Sequence, residues 1–285
     1  MTPKILDGKW VRDQILAELR PRVEKLAVEH RRPGLAVVLV GNNPASEIYV
    51  RNKIKACAEL GIYSVKITPP DTLSTADLLG IIEGLNERSE IDGILVQTPL
   101  PKQVDSHRIL LAIDPGKDVD GFHPFNVGKL VAGIPGPRAC TPAGIMEMLK
   151  RYDIAIAGKN AVVVGRSDIV GKPMALLLLH EHATVTICHS KTADLAGECR
   201  RGDILVAAIG RPAFIQRDFI KPGAIVIDVG QNRLPDGKLI GDVDPQGVQA
   251  HAGAFTPVPG GVGPLTIAML MSNAVSLAEQ HLCSA

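Results

Sequence analysis

Aromatic side chains are scarce: one Trp, three Tyr and five Phe among 285 residues. That is too few to line a platform on which successive nucleic-acid bases stack. An excess of one charge is lacking as well. Lys plus Arg number 31 against 30 Asp plus Glu, a formal net charge of +1, so no nucleic-acid or membrane partner is expected. No pair of cysteines has C-x-x-C spacing. The five present (Cys57, Cys140, Cys188, Cys199 and Cys283) are scattered and odd in number, which argues against a disulfide framework or a structural zinc site, and no metal is assigned. His180 and His182 point to different helix faces and read as surface or second-layer residues. The opening "MTPKILDGKW" does not read as a secretory signal, and no apolar run reads as long enough to cross a membrane. A reduced, cytoplasmic compartment is the expectation.

What is present is an ordinary globular composition, 46% hydrophobic and 21% charged, on a chain long enough for one large or two ordinary domains. Short β-branched runs alternate with helical patterns. "LAVVLVG", "YSVKIT" and "DGILVQ" read as strands, with "TADLLGIIEGLNE" as a helix between the last two. Further on, "NAVVVG", "ATVTIC", "DILVAA" and "AIVIDVG" read as strands. The helices "PAGIMEMLKRYD", "VGKPMALLLLHE" and "ADLAGECR" accompany them, and a last helix runs from Pro264 to about Gln280. Repeated β-α-β with nearly continuous apolar strands implies parallel sheets covered on both faces. One series lies before about residue 115 and the other after about 159; between them the Gly/Pro-rich "IDPGKDVDGFHPFNVGKLVAGIPGPRACTP" reads as a linker or functional loop. The fold class is therefore α/β: two α/β domains flanking a cleft, the second a Rossmann-like parallel sheet.

The segment "EIYVRNKIKACAELG" reads as a helix closed by Gly61. Wound at 100° per residue, it puts Arg51, Asn52, Lys55 and Glu59 on one face and Val50, Ile54, Ala56, Cys57 and Leu60 on the other. Lys53 falls on the apolar side, one turn after Tyr49. Either it carries its ammonium group to water along an apolar stem, or it faces a cleft where partial desolvation lowers its pKa and suits it to act as a base. The helix alone leaves both open.

"AVVVGRSDIVGKP" has the order strand, glycine turn, helix start, with Gly165 and Gly171 bracketing the turn. Backbone N–H groups there suit a pyrophosphate, and a structural βα turn is the competing reading. NAD sites usually carry an acidic residue about 20 residues further on. Here "VTICHSKT" supplies His189, Ser190 and Lys191 instead, and Arg166 lies in the turn itself. Hydroxyl and basic groups favour the 2′-phosphate of NADP over NAD. In "PVPGGVGPLT", the pair Gly260 and Gly261 lets backbone approach a flat ligand; the stretch also reads simply as a loop into a helix, with Pro264 near its start.

Together "YVRNK", "GILVQTPLP", "DVDGFHPFNVGKL", "CTPAG", "VVVGRSDIVGKP", "CHSKT", "VIDVGQNR" and "TPVPGGVGPLT" resemble the signatures of the bifunctional methylenetetrahydrofolate dehydrogenase/cyclohydrolase family, in the family's order, from about Leu6 to the final helix. The resemblance implies oxidation of methylenetetrahydrofolate to the methenyl cation with NADP, followed by hydrolysis to 10-formyltetrahydrofolate. It implies a folate-binding catalytic domain over 1–140 plus 265–285, an NADP-binding domain over 141–264, and a homodimer formed through the cofactor domain. By position, Lys53 takes the catalytic lysine's place, Tyr49 packs on the pterin, Gln97 positions the lysine and Asp120 grips the pterin. Pro259, Gly260 and Gly261 fall with the substrate, and Gly165, Arg166, Ser167, Gly171, Ser190 and Gln231 with the cofactor. Thr98 and Gln231 depart from the family's usual "VQLPLP" and "DVGINR".

The chemistry explains the residue types. Hydride loss leaves a cation stabilised by two nitrogens and needs positioning more than proton transfer. Hydration needs an acceptor for the water proton and a donor for the leaving nitrogen, which one amine can provide in turn. A carboxylate such as Asp120 accepts two N–H bonds from a pterin-like edge; as a turn-forming residue, Asp118 fits better. The competing functions are a monofunctional dehydrogenase of the same substrate, an unrelated NADP-dependent dehydrogenase of a small carbonyl or imine, and an NADP-sensing binding module.

Overall fold

The computed structural model describes residues 2–283. In chain order the strands are β1 (Lys4–Ile5), β2 (Gly34–Val38), β3 (Tyr63–Ile67), β4 (Gly93–Val96), β5 (Asn160–Val164), β6 (Thr184–Cys188), β7 (Ile204–Ala207), β8 (Ile225–Asp228), β9 (Asn232–Arg233), β10 (Leu239–Ile240) and β11 (Ala254–Phe255). The helices are α1 (Gly8–Glu29), α2 (Pro44–Leu60), α3 (Thr75–Glu87), α4 (Ser106–Ala112), α5 (Pro124–Val131), α6 (Cys140–Arg151), α7 (Gly171–His180), α8 (Leu195–Arg200), α9 (Pro245–His251) and α10 (Val262–Cys283).

The chain forms two compact units, Gln14–Arg138 with Ile267–Ala285, and Met1–Asp13 with Ala139–Thr266. The sequence reading places the N-terminus with the first sheet, and the structure differs there. The cause is backbone pairing: Lys4 and Ile5 lie beside Ala254 and Phe255 in parallel register and extend the second sheet.

The first of these units holds a three-stranded parallel sheet, β3-β2-β4. All five residues of the central β2 are buried, as a strand covered on both faces requires. α10 joins this unit through side chains. Asn273 Nδ2 donates to the carbonyls of Val119 and Arg138, both at 2.9 Å. Glu279 receives Arg22 in a bidentate pair at 2.6 and 2.9 Å. Against expectation, Val262–Leu282 is long and apolar enough to cross a membrane by length and composition alone. Leu270, Met271, Ala274, Val275, Leu277 and Ala278 are nevertheless buried within the fold, and core packing accounts for that apolarity.

The other unit holds a six-stranded sheet, β1-β11-β8-β7-β5-β6, with every pairing parallel. β6 lies on one side of β5 and β7 on the other, so the strand order reverses at β5. In open α/β sheets the crevice beyond the strand C-termini at that reversal is where ligands bind. Gly165 ends β5 there with φ +130°, and a side chain would place its Cβ 2.2 Å from the Ala208 carbonyl oxygen. Only glycine fits that crossing.

Candidate active site

α2 positions the first group of side chains. Its sequence-expected end holds: Gly61 has φ +79° and donates to the Ala58 carbonyl at 3.2 Å, while Ile62 donates to Cys57 at 2.9 Å. That pair of bonds satisfies the last-turn carbonyls and fixes the helix end. Val50, Ala56, Cys57 and Leu60 are buried; Arg51, Asn52, Lys55 and Glu59 are exposed. Lys53 is half-buried, and Tyr49, one turn earlier on the helix, is 45% exposed.

Lys53 Nζ donates to Gln97 Oε1 at 3.0 Å. Gln97 directly follows β4. Its N–H continues the ladder to the Val38 carbonyl at 2.8 Å, and its side-chain Nε2 donates to the Thr98 carbonyl at 2.7 Å. The amide is thereby oriented with its oxygen toward the lysine.

Asp120 completes the cluster. Burial pushes its carboxyl up to about 6; the Lys53 ammonium group pulls it down and the Asp118 carboxylate pushes it further up. Lys53 and Tyr49 thus come from α2, Gln97 from the end of β4 and Asp120 from the segment between α4 and α5, all in one unit. The turn that carries Asp120 is held from within. Buried Asp118 accepts N–H bonds from Gly121 at 3.1 Å, Phe122 at 3.3 Å and His123 at 2.8 Å, and from Asn126 Nδ2 at 2.9 Å.

The second group lies in the unit of the six-stranded sheet. Pro259, Gly260, Gly261 and Gln231 line one pocket of about 220 Å³, together with Lys9 and Asp228. Sequence reasoning had divided these glycines and Gln231 between substrate and cofactor. Lys9 was missed, because nothing around it in the sequence marks it. Asp228 accepts three backbone N–H bonds, from Gly230, Asp242 and Val243, at 2.8–3.0 Å. Burial, the largest influence, raises its carboxyl to about 6 against the pull of those bonds. Asp242 in turn accepts from the N–H groups of Ile209, Gly210 and Arg211 at 2.7, 3.0 and 2.9 Å, fixing the loop after β7 at the strand-order reversal.

The third group is the turn after β5. Arg166 and Ser167 are exposed there, and Ser190 and Lys191 are exposed at the end of the neighbouring β6. Ser167 Oγ accepts from the N–H groups of Val170 and Gly171 at 3.2 and 3.3 Å. The hydroxyl therefore caps the start of α7, so the structural reading of this turn holds beside the binding one. Asp168 is paired with Lys172 one turn on. A guanidinium, a hydroxyl and an ammonium at adjacent strand ends suit a phosphate ester at that corner.

Three of the thiols are poorly suited to act as nucleophiles. Burial pushes the Cys57 and Cys199 thiols up to about 12 and raises Cys188, the reverse of what an activated nucleophile needs.

Two family models match the chain: the tetrahydrofolate dehydrogenase/cyclohydrolase catalytic domain over residues 6–120, and the NAD(P)-binding domain of the same enzymes over residues 139–282. The bifunctional protein FolD of Solibacter usitatus is 67% identical, with 98% of each chain covered. Among solved structures, the bifunctional FolD methylenetetrahydrofolate dehydrogenase/cyclohydrolase of Campylobacter jejuni is 46% identical with a TM-score of 0.96, covering 98% of this chain and 99% of that one. The methylenetetrahydrofolate dehydrogenase-cyclohydrolase of Trypanosoma brucei, complexed with NADP and an inhibitor, is 38% identical with a TM-score of 0.93 and 98% coverage of both chains.

Proposed function

The chain belongs to the tetrahydrofolate dehydrogenase/cyclohydrolase family, and from that premise we propose that Lys53 is the acid–base residue of its cyclohydrolase step. The activity is bifunctional: 5,10-methylenetetrahydrofolate is oxidised with NADP to the methenyl cation, which is hydrolysed to 10-formyltetrahydrofolate. The observation that carries the assignment is the 3.0 Å bond from Lys53 Nζ to Gln97 Oε1. A buried-side lysine is held there by a neutral acceptor and electrostatically coupled to a carboxylate, Asp120.

Exposed Tyr49 offers its ring face to the flat pterin. Asp120, when ionised, accepts two N–H bonds from the pterin edge. NADP, when bound, takes up the hydride; this chain's part in that step is to orient the substrate and exclude water. Hydration is where Lys53 acts. A cationic methenyl group disfavours a second positive charge beside it, which promotes the neutral amine. Lys53 Nζ accepts a proton as water adds to the methenyl carbon. It then returns a proton to the ring nitrogen as the carbon–nitrogen bond breaks, and the intermediate's hydroxyl proton leaves as the formyl carbonyl forms. Gln97 bonds the amine in either state without adding charge.

For the cofactor, Arg166 and Ser190 are assigned to the 2′-phosphate of NADP, and Gly165, Ser167 and Gly171 to the turn beside the pyrophosphate. Pro259, Gly260, Gly261 and Gln231 accept a flat ring against the wall of the pocket they line. Asp118, Asp228 and Asp242 hold loops. The protein is further read as a cytoplasmic homodimer whose 10-formyl product supplies formyl groups for purine biosynthesis, without nucleic-acid or membrane partners. A single assay tests the function: purified protein is mixed with methylenetetrahydrofolate and NADP, and methenyl formation and decay are followed by absorbance. Formation followed by decay supports the reading. Formation without enzyme-dependent decay leaves a monofunctional dehydrogenase, and no turnover leaves a binding module.

A further inference from the structure

We propose that Asp118 is a positioning residue for folate capture, fixing both the direction and the charge of Asp120; this rests on the reading of Asp120 as the pterin-binding carboxylate. Asp118 is 1% exposed. Its two oxygens accept four N–H groups, three of them from the backbone of the turn that follows Asp120 and one from Asn126. Asn126 is itself buried, and its Nδ2 also donates to the Pro115 carbonyl at 2.9 Å, which ties the turn to the segment entering it. On the other side, Asp118 forms a parallel bridge with Ile94 of β4, three residues before Gln97. Residue 118 therefore joins the two: its backbone bridges the strand that delivers Gln97, and its carboxylate holds the turn that follows Asp120.

A single anion receiving four donors sets the turn firmly, since hydrogen bonds to a charged acceptor are stronger than those to a neutral one. It also places a second negative charge near Asp120. The charged groups acting on Asp120 are Lys53 from α2 and Asp118 from its own segment, and they pull in opposite directions. Burial, the largest influence raising the Asp120 carboxyl, remains when the Asp118 charge is removed, but one upward push is gone and Asp120 becomes easier to ionise.

The test compares Asp118→Asn with Asp120→Asn and wild type in steady-state assays between pH 5 and 8, with NADP affinity and far-UV circular dichroism as controls. Asp118→Asn is expected to raise the KM for methylenetetrahydrofolate at pH 8 by about tenfold, the loss typical of a charged hydrogen-bond acceptor. The acid limb of the folate profile should move to lower pH, and NADP affinity should stay within twofold. A folded Asp118→Asn protein with an unchanged KM or an unmoved acid limb overturns the proposal, because a residue that only stabilises the fold moves neither selectively. Should Asp118→Asn not fold, Asn126→Leu keeps a similar bulk and removes the Nδ2 group that donates to both Asp118 and the Pro115 carbonyl. It should raise the folate KM about threefold with NADP affinity intact, and an unchanged KM there overturns the proposal equally. If Asp120→Asn leaves folate binding untouched, the reading of Asp120 itself is what fails.

Discussion

Lys53 Nζ lies 3.0 Å from Gln97 Oε1, and that one bond joins the helix α2 to the end of β4. It gives the lysine a fixed direction although its neighbours on the same arc are apolar and most of them are buried. Because the acceptor is neutral, the bond survives whether the amine is charged or not. A carboxylate at position 97 would instead lock the ammonium form.

Gln97→Leu removes the acceptor and retains the bulk. Loss of one hydrogen bond of about 1–1.5 kcal/mol corresponds to roughly a tenfold fall in rate. The hydrolysis of methenyltetrahydrofolate should slow by about that factor, with NADP affinity unchanged. A rate within twofold of wild type means that Gln97 does not position Lys53.

Asp120 gives a pH dependence with a definite sign. Its carboxyl, raised to about 6 chiefly by burial, is ionised above that value and neutral below it. A neutral acid accepts less well from pterin N–H groups, so the KM for methylenetetrahydrofolate should be flat near pH 8 and rise about tenfold per unit once the pH is well below 6. The same raised value contributes stability that is fully present below the ordinary carboxylate range and lost as pH rises through about 6. Asp120→Asn should abolish the acid limb and bind folate weakly at every pH. Persistence of the limb in that variant assigns it to another group.

Arg166 is exposed in the turn after β5, where its loss should cost little fold stability. If it meets the 2′-phosphate, Arg166→Ala loses about 1.5–3 kcal/mol of NADP binding, roughly a 10- to 100-fold rise in Kd. NAD affinity, measured by the same titration, should hardly change. An equal loss for both cofactors assigns Arg166 to the shape of the turn.

Much of this was legible in the sequence because local signals agreed with the fold. "TADLLGIIEGLNE" forms α3 over Thr75–Glu87, with Ser74 and Asp77 making the reciprocal cap that the residue order allows. The arc analysis of α2 matches the burial of every residue it sorted except Lys53 and Ile54, which are half-buried. α1 escaped notice. Its stripe of Val11, Ile15, Leu19, Val23 and Leu26 is buried, but Pro21 interrupts the pattern, and proline is a strong local argument against a helix. Strands β1 and β11 are two residues each, too short for any periodicity to register. The placement of the N-terminus followed from their pairing and so was missed. At the site, Lys53, Gln97 and Asp120 were found through motifs. The loop-holding role of Asp242 was not, because its backbone donors lie about thirty residues away and nothing local marks a buried carboxylate as a loop anchor.

The most direct measurement is the ratio of the two activities in Lys53→Met. Methionine keeps the apolar stem and is a good helix former, so α2 should persist. Methenyltetrahydrofolate hydrolysis should fall by roughly 10²–10⁴, the usual contribution of a general acid–base group. Hydride transfer should fall far less, because no proton moves in that step, and the methenyl compound should accumulate in the dehydrogenase assay. If purified, folded Lys53→Met hydrolyses methenyltetrahydrofolate at the wild-type rate, then Lys53 is a lysine that merely carries its charge to the surface, and the acid–base assignment is wrong.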